Sequence, residues 1–207
     1  MYGDNFTQYT YLPDNNDGYG HLAYLFYGSN VVSAKNLVLP SDTTNIDDYS
    51  YNWFFGNCTN LVEIPPVFIE NQHAVYRNCT SLTSVTIPNG VEVVGNGMFD
   101  GCTGLTSVTL PNTLTRIEAS AFRGCTNLTN ITIPNSITYI GQSSFKDCTS
   151  LASITIEATT PPTLGYVALD NNASGRKIYV PANSETAYEA ATNWSTYAAD
   201  IEPIPTT

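Results

Sequence analysis

The chain has 207 residues, with 18 acidic and 7 basic side chains and a net charge of −11, yet only 12% of its residues are charged. Seven scattered bases on an acidic background make no basic stripe for phosphates, which excludes nucleic acid as a partner. No apolar run approaches the roughly 18 residues that a membrane-spanning helix needs, so no membrane insertion is expected.

Residues 1–57 read as irregular repeats. The opening, Met1-Tyr-Gly-Asp-Asn-Phe6, has neither the basic start nor the apolar stretch of a signal peptide. Leu12-Pro13, Leu37-Val-Leu-Pro40 and Ile64-Pro65 read as strand ends, and Phe26-Tyr-Gly-Ser29 puts serine where later units carry cysteine. Asp14-Asn-Asn-Asp-Gly18 superficially suggests a calcium loop. With Gly18 at the sixth loop position, however, Pro13 stands first and Tyr24 twelfth, where carboxylates belong, so the segment reads as a turn. Asp42, Asp47 and Asp48 fall in an inserted stretch and read as solvated acids.

The first 55 residues hold eight of the fourteen tyrosines, together with Trp53 and four phenylalanines. Phe26 and Phe55 occupy a repeated apolar position and read as core. Two readings stay open for Tyr9, Tyr11, Tyr19, Tyr27, Tyr49 and Tyr51. They are exposed rings that stack on sugars or anchor a protein partner, or they pack against a further upstream repeat. Tyr9, Tyr11 and Tyr49 are the ligand-binding candidates.

From residue 58 the chain becomes regular. Five cysteines, Cys58, Cys79, Cys102, Cys125 and Cys148, each open a Cys-Thr-x-Leu tetrapeptide, the last four 23 residues apart and the first step 21. A fixed period of this size marks a solenoid, whose units cannot bury their apolar faces alone and so share one core. Apolar columns follow: Val85, Val108 and Ile131; Ile87, Leu110 and Ile133; Val94, Ile117 and Ile140; Phe99, Phe122 and Phe145. Val108-Thr109-Leu110 alternates as a strand does, and Pro88, Pro111 and Pro134 end these strands because proline cannot donate to a ladder. The segment Glu118 to Phe122 is short enough for one helical turn at most. The outward strand positions, Thr86, Thr109, Thr132 and Thr155 flanked by Ser84, Ser107, Asn130 and Ser153, form a uniform small polar face without the Trp, Tyr and Arg of binding hot spots. The cysteines occupy one repeat position, so they read as a buried column whose parallel Cβ vectors oppose disulfides and whose linear arrangement cannot converge on zinc. His21 and His73, the only histidines, lie in no hydrolase motif. No catalytic residue, metal or cofactor is expected.

Residues 158–207 read as a cap. Glu157 replaces the proline of the last unit, Lys177 to Val180 reads as one more strand, and Ser184 to Ala191 as a helix with Asn183 or Ser184 at its N-cap. Trp194, Tyr197 and Ile201 are expected to close the open end of the core, as a solenoid terminus requires.

The pattern Leu105-x-x-Val108-x-Leu110-Pro111-x-x-Leu114-x-x-Ile117-x-x-x-x-Phe122-x-x-Cys125 resembles the BspA-like leucine-rich repeat of bacterial surface proteins, over residues from about 26 to 157. It departs from the general leucine-rich pattern in that Asn89, Asn112 and Asn135 follow proline and read as turn residues. The resemblance implies a leucine-rich-repeat solenoid, a right-handed β/α superhelix of about six stacked coils with a helix-containing C-terminal cap, all one continuous domain. Within it, 1–57 is irregular, 58–157 regular and 158–207 the cap. It further implies a non-enzymatic, monomeric module at the cell surface or outside the cell; because the chain opens inside or just before a partial repeat, it reads as a fragment of a longer secreted protein, the alternative being a cytoplasmic one. Such a module would adhere to a host extracellular protein or glycan, or serve as a structural spacer within a larger surface protein.

Overall fold

The computed structural model describes residues 23–37, 51–66, 68 and 72–206. Each regular coil contributes a longer and a shorter strand. The longer strands are β1 (Ser84–Thr86), β3 (Ser107–Thr109), β5 (Asn130–Ile133), β7 (Ser153–Ile156) and β9 (Lys177–Val180). The shorter are β2 (Val93–Val94), β4 (Arg116–Ile117), β6 (Tyr139–Ile140) and β8 (Thr163–Leu164), a second set that the short apolar pairs did not announce as strands. Every pairing is parallel. Val85 faces Val108, Ile131 faces Ile154 and Ile117 faces Ile140, so equal repeat positions lie side by side.

Between the strands the chain turns back through a column of aromatic rings. Phe26, Phe55, Tyr76, Phe99, Phe122 and Phe145 stack with centroids 5.3–5.6 Å apart and ring planes within 10° of parallel. Each such pair adds about 0.5–1.5 kcal/mol beyond the area it buries. The cysteines run beside it. All five are buried and free, and each thiol donates to the carbonyl of the aromatic position one coil back: Cys79 to Phe55 and Cys102 to Tyr76 at 3.1 Å, Cys125 to Phe99 at 3.4 Å, Cys148 to Phe122 at 3.1 Å. The same carbonyls accept the amide of their own coil's cysteine, as Phe99 does from Cys102, so the thiol fills the second lone pair of a buried oxygen. Small size and a weak donor are both used at this position. Ser29 keeps the polar contact in the first coil, its Oγ 3.4 Å from Cys58 Sγ.

Three features differ from the sequence expectation. The ladder of longer strands is interrupted: β1 pairs with β3 and β5 continues through β7 and β9, but β3 and β5 do not pair, and Val108 and Leu110 are only half-buried there. The shorter strands run unbroken through β2, β4, β6 and β8. In the first described coil, Ser33 bridges Glu63 and the Ala34 amide donates to the Glu63 carbonyl, which sets Ala34 beside Ile64; Val38-Leu39-Pro40 lie outside the described residues. That coil reaches its strand sooner than the proline suggested, because Val31 and Ala34 already supply buried positions.

The cap is helix α1 (Glu185–Ala190), a 3-10 helix (Trp194–Asp200) and strand β10 (Ile201–Pro203), which pairs in parallel with β9. Ser184 stands at the N-cap with a helical backbone and makes no side-chain capping bond; Glu185 alone serves the first turn. Trp194, Tyr197 and Ile201 are buried over the last coil as expected. Trp194 Nε1 donates to the Pro162 carbonyl and the Tyr188 hydroxyl to that of Ala158, both at 2.7 Å, pinning the cap to the segment around Pro161-Pro162.

Candidate aromatic surface site

Two positions in every coil carry a left-handed backbone. Two residues after the aromatic position, φ is positive at Gly28, Asn57, Asn78, Gly101, Gly124, Asp147 and Asn171, and these residue types tolerate it. Two residues before it, φ is also positive, but the occupants differ: Tyr24 and Trp53 in the first two coils, Ala74, Gly97, Ser120 and Ser143 in the middle ones, and Val167 in the last. Large side chains are costly in this conformation, by about 1–3 kcal/mol. Here they stand at φ 63° and 58°, and the turn projects both rings onto one surface.

There the rings assemble. Tyr24 and Trp53 stack 5° from parallel with centroids 6.1 Å apart, and Tyr27 meets both edge-on at 5.5 and 6.0 Å. The Arg77 guanidinium covers the other side of Trp53, 4.8 Å from its centroid, and is held by Asp100 at 3.0 Å. Burial raises the Asp100 carboxyl above its usual range, opposed by the positive charges of Arg77 and Arg123. His73 tilts against Trp53 at 6.1 Å, and its backbone amide donates to Asn52 Oδ1. Gly56 makes the approach possible: a Cβ there would lie 3.0 Å from both the Trp53 and Tyr27 rings. Asn78 donates to Asn57 Oδ1 at 2.8 Å, and Asn57 donates to the Tyr27 hydroxyl at 2.5 Å, which fixes the rim. Tyr24 remains 55% exposed and Tyr27 44%.

Of the sequence candidates, Tyr9, Tyr11, Tyr19 and Tyr49 lie outside the described residues, as do His21, Leu12-Pro13 and the aspartates at 14, 17, 42, 47 and 48. Tyr27 is exposed as one reading required, but Tyr51 is buried and packs edge-on against Phe54. Tyr24 and Arg77 are not among the sequence candidates, and His73, which lies in no hydrolase motif, joins them at the ridge. The signal for Tyr24 and Trp53 lay in the alignment, as aromatic residues in a column otherwise held by Ala, Gly, Ser and Val. Arg77 carried none, since its column mixes Arg, Asp and Lys.

The strand face has the small polar surface expected: Ser84, Thr86, Ser107, Thr109, Asn130 and Thr132 are all exposed. A cleft of about 220 Å³ lies between the last coil and the cap, but its polar groups hold one another, Arg176 on Asp200 and Tyr197 on Asp170. Among the described residues, no three His, Cys, Asp or Glu side chains are grouped to hold a metal, and no helix is long and apolar enough to cross a membrane.

A family model described as the BspA type leucine rich repeat region matches residues 69–197 in six copies. No curated protein matches. Among solved structures, a leucine rich cell surface protein from Faecalibacterium prausnitzii is 38% identical, with a TM-score of 0.49, over 54% of this chain and 30% of its own. A leucine-rich repeat protein from Bacteroides ovatus is 26% identical, with a TM-score of 0.44, over 66% of this chain and 47% of its own. The chain thus spans less than half the length of either.

Proposed function

Because the chain belongs to the BspA-type leucine-rich-repeat family, we propose that it is a non-enzymatic binding module of a bacterial surface protein, acting at the cell surface or outside the cell. Its contact surface is the aromatic ridge of Tyr24, Tyr27, Trp53 and Arg77, with Tyr9, Tyr11 and Tyr49 as further candidates from the sequence. The partner is a host extracellular protein or glycan. One observation carries this reading: two aromatic residues occupy the left-handed turn position that the middle coils give to Ala, Gly and Ser, and their rings assemble at the surface with Tyr27 and Arg77. Tyr, Trp and Arg are also the residue types that dominate binding hot spots. The uniform strand face of the later coils favours a second role, a spacer that holds the ridge away from whatever precedes or follows it.

The test is a binding screen of the intact chain against extracellular-matrix proteins and immobilised glycans, repeated with Trp53→Ala. Removing a hot-spot anchor weakens binding by about 2 kcal/mol or more. Undiminished capture by the variant, or loss only on changing Thr109 and Thr132, would transfer the site to the strand face.

A further inference from the structure

Resting on the reading of the ridge as a binding surface, we infer that its ligand is a neutral glycan, with one pyranose ring seated on the outer face of Tyr24. The stack has a direction. Arg77 closes one side of Trp53 and Tyr24 the other, so neither face of the indole is open. Tyr24 has one face against Trp53 and Tyr27 beside it, and the residue stays 55% exposed, which makes the face opposite Trp53 the proposed seat. An electron-rich ring face attracts positively polarised edges, and the C–H face of a pyranose supplies these together with a flat apolar area.

The rim fits the rest of a sugar. The Tyr27 hydroxyl accepts from Asn57, which leaves its own hydrogen to donate, and the Asn57 amide keeps a second N–H. Both are neutral groups of the kind that bind hydroxyls in either direction. The charge of the ridge argues against an anionic ligand. Arg77 is engaged by Trp53 and neutralised by Asp100, and Lys35, the other base in the described N-terminal coils, is paired with Glu63. On a chain with a net charge of −11, no uncompensated base at the ridge remains to draw a sulfated or sialylated sugar. The site is also rigid before any ligand arrives, since Gly56 lets the rings lock together and the Asn78–Asn57–Tyr27 chain fixes the hydroxyl.

The experiment probes the intact chain with an immobilised array of neutral, sialylated and sulfated oligosaccharides. The strongest neutral hit is then titrated by tryptophan fluorescence, where Trp194 is buried in the cap and Trp53 reports the ridge. The expected result is saturable binding of a neutral oligosaccharide, weakened about tenfold or more by Tyr24→Ala and about three- to tenfold by Tyr27→Phe, which removes only the hydroxyl. Capture confined to sulfated or sialylated sugars, or neutral binding indifferent to Tyr24→Ala, overturns the proposal. A parallel arm uses asialofetuin before and after enzymatic removal of its glycans. Equal, Tyr24-dependent binding of both forms would sink the glycan and leave the binding module standing. An array and a glycoprotein that both ignore Tyr24 and Trp53 would remove the two readings together. Circular dichroism of each variant separates loss of the site from loss of the fold.

Discussion

Raising the pH should unfold this protein through its thiols. Cys102 is fully buried, and desolvation pushes its pKa up to about 12. Burial also raises the Cys79 thiol, and Cys125 is raised by its contact with Cys148 and by burial. In the unfolded chain a thiol ionises near ~8.5. Above that pH the unfolded state sheds protons that the native state keeps, so stability is full below about 8.5 and declines as pH climbs toward the native value. For Cys102 alone the loss at pH 10 is about 2 kcal/mol, from the ~1.4 kcal/mol that each unit of pKa difference represents. The assay is urea denaturation under reducing conditions at pH 7.5 and pH 10, on the natural chain and on Cys102→Ser. Serine still donates to the Tyr76 carbonyl but does not titrate, and the buried tyrosines contribute equally to both proteins. The natural chain should lose about 2 kcal/mol more than the variant between the two pH values. Equal losses would show that Cys102 is not held as a protonated donor inside the coil.

Phe122 has a ring against each face, so Phe122→Ala should cost about 3–5 kcal/mol by chemical denaturation, and a loss under 1 kcal/mol would deny the column its structural weight. Tyr76 stands in the same column with a buried hydroxyl that finds no hydrogen-bond partner among the described residues. Tyr76→Phe should therefore raise the denaturation midpoint, by about 1 kcal/mol in stability, and a fall would reveal a partner for that oxygen. At the ridge, Gly56→Ala should part the Trp53 and Tyr27 rings and change Trp53 fluorescence while the core transition stays cooperative; unchanged fluorescence would mean that the rings do not rest on this glycine.

The core was legible because its signals repeat. Cys-Thr-x-Leu, the phenylalanine column and the strand prolines recur at one spacing, and a stacked array turns equal spacing directly into contact. What did not repeat was harder to see. The first described coil reaches its strand at Ser33-Ala34, without a proline to mark it. The shorter strands are only two residues long and read as isolated apolar positions. The break between β3 and β5 falls between two units of the same repeat pattern, so the spacing did not mark it. The ridge was half legible. Aromatic abundance pointed to the right quarter of the chain, but backbone handedness decided which rings reach the surface, and that shows only when the residues before each phenylalanine are compared across coils.

The last described strand bears on how the parallel ladder ends. A parallel ladder offers its last strand as a template for another molecule, and head-to-tail addition through that edge would give an open filament rather than a closed oligomer. The Ile204 amide points inward, to the Val180 carbonyl. Alternation then turns positions 203 and 205 outward, and both are proline, with no N–H to offer a newcomer. The last described strand joins the array on one side and on the other lacks two of the donors that a further parallel strand would use, so strand addition along this edge is disfavoured by two exposed residues outside the core.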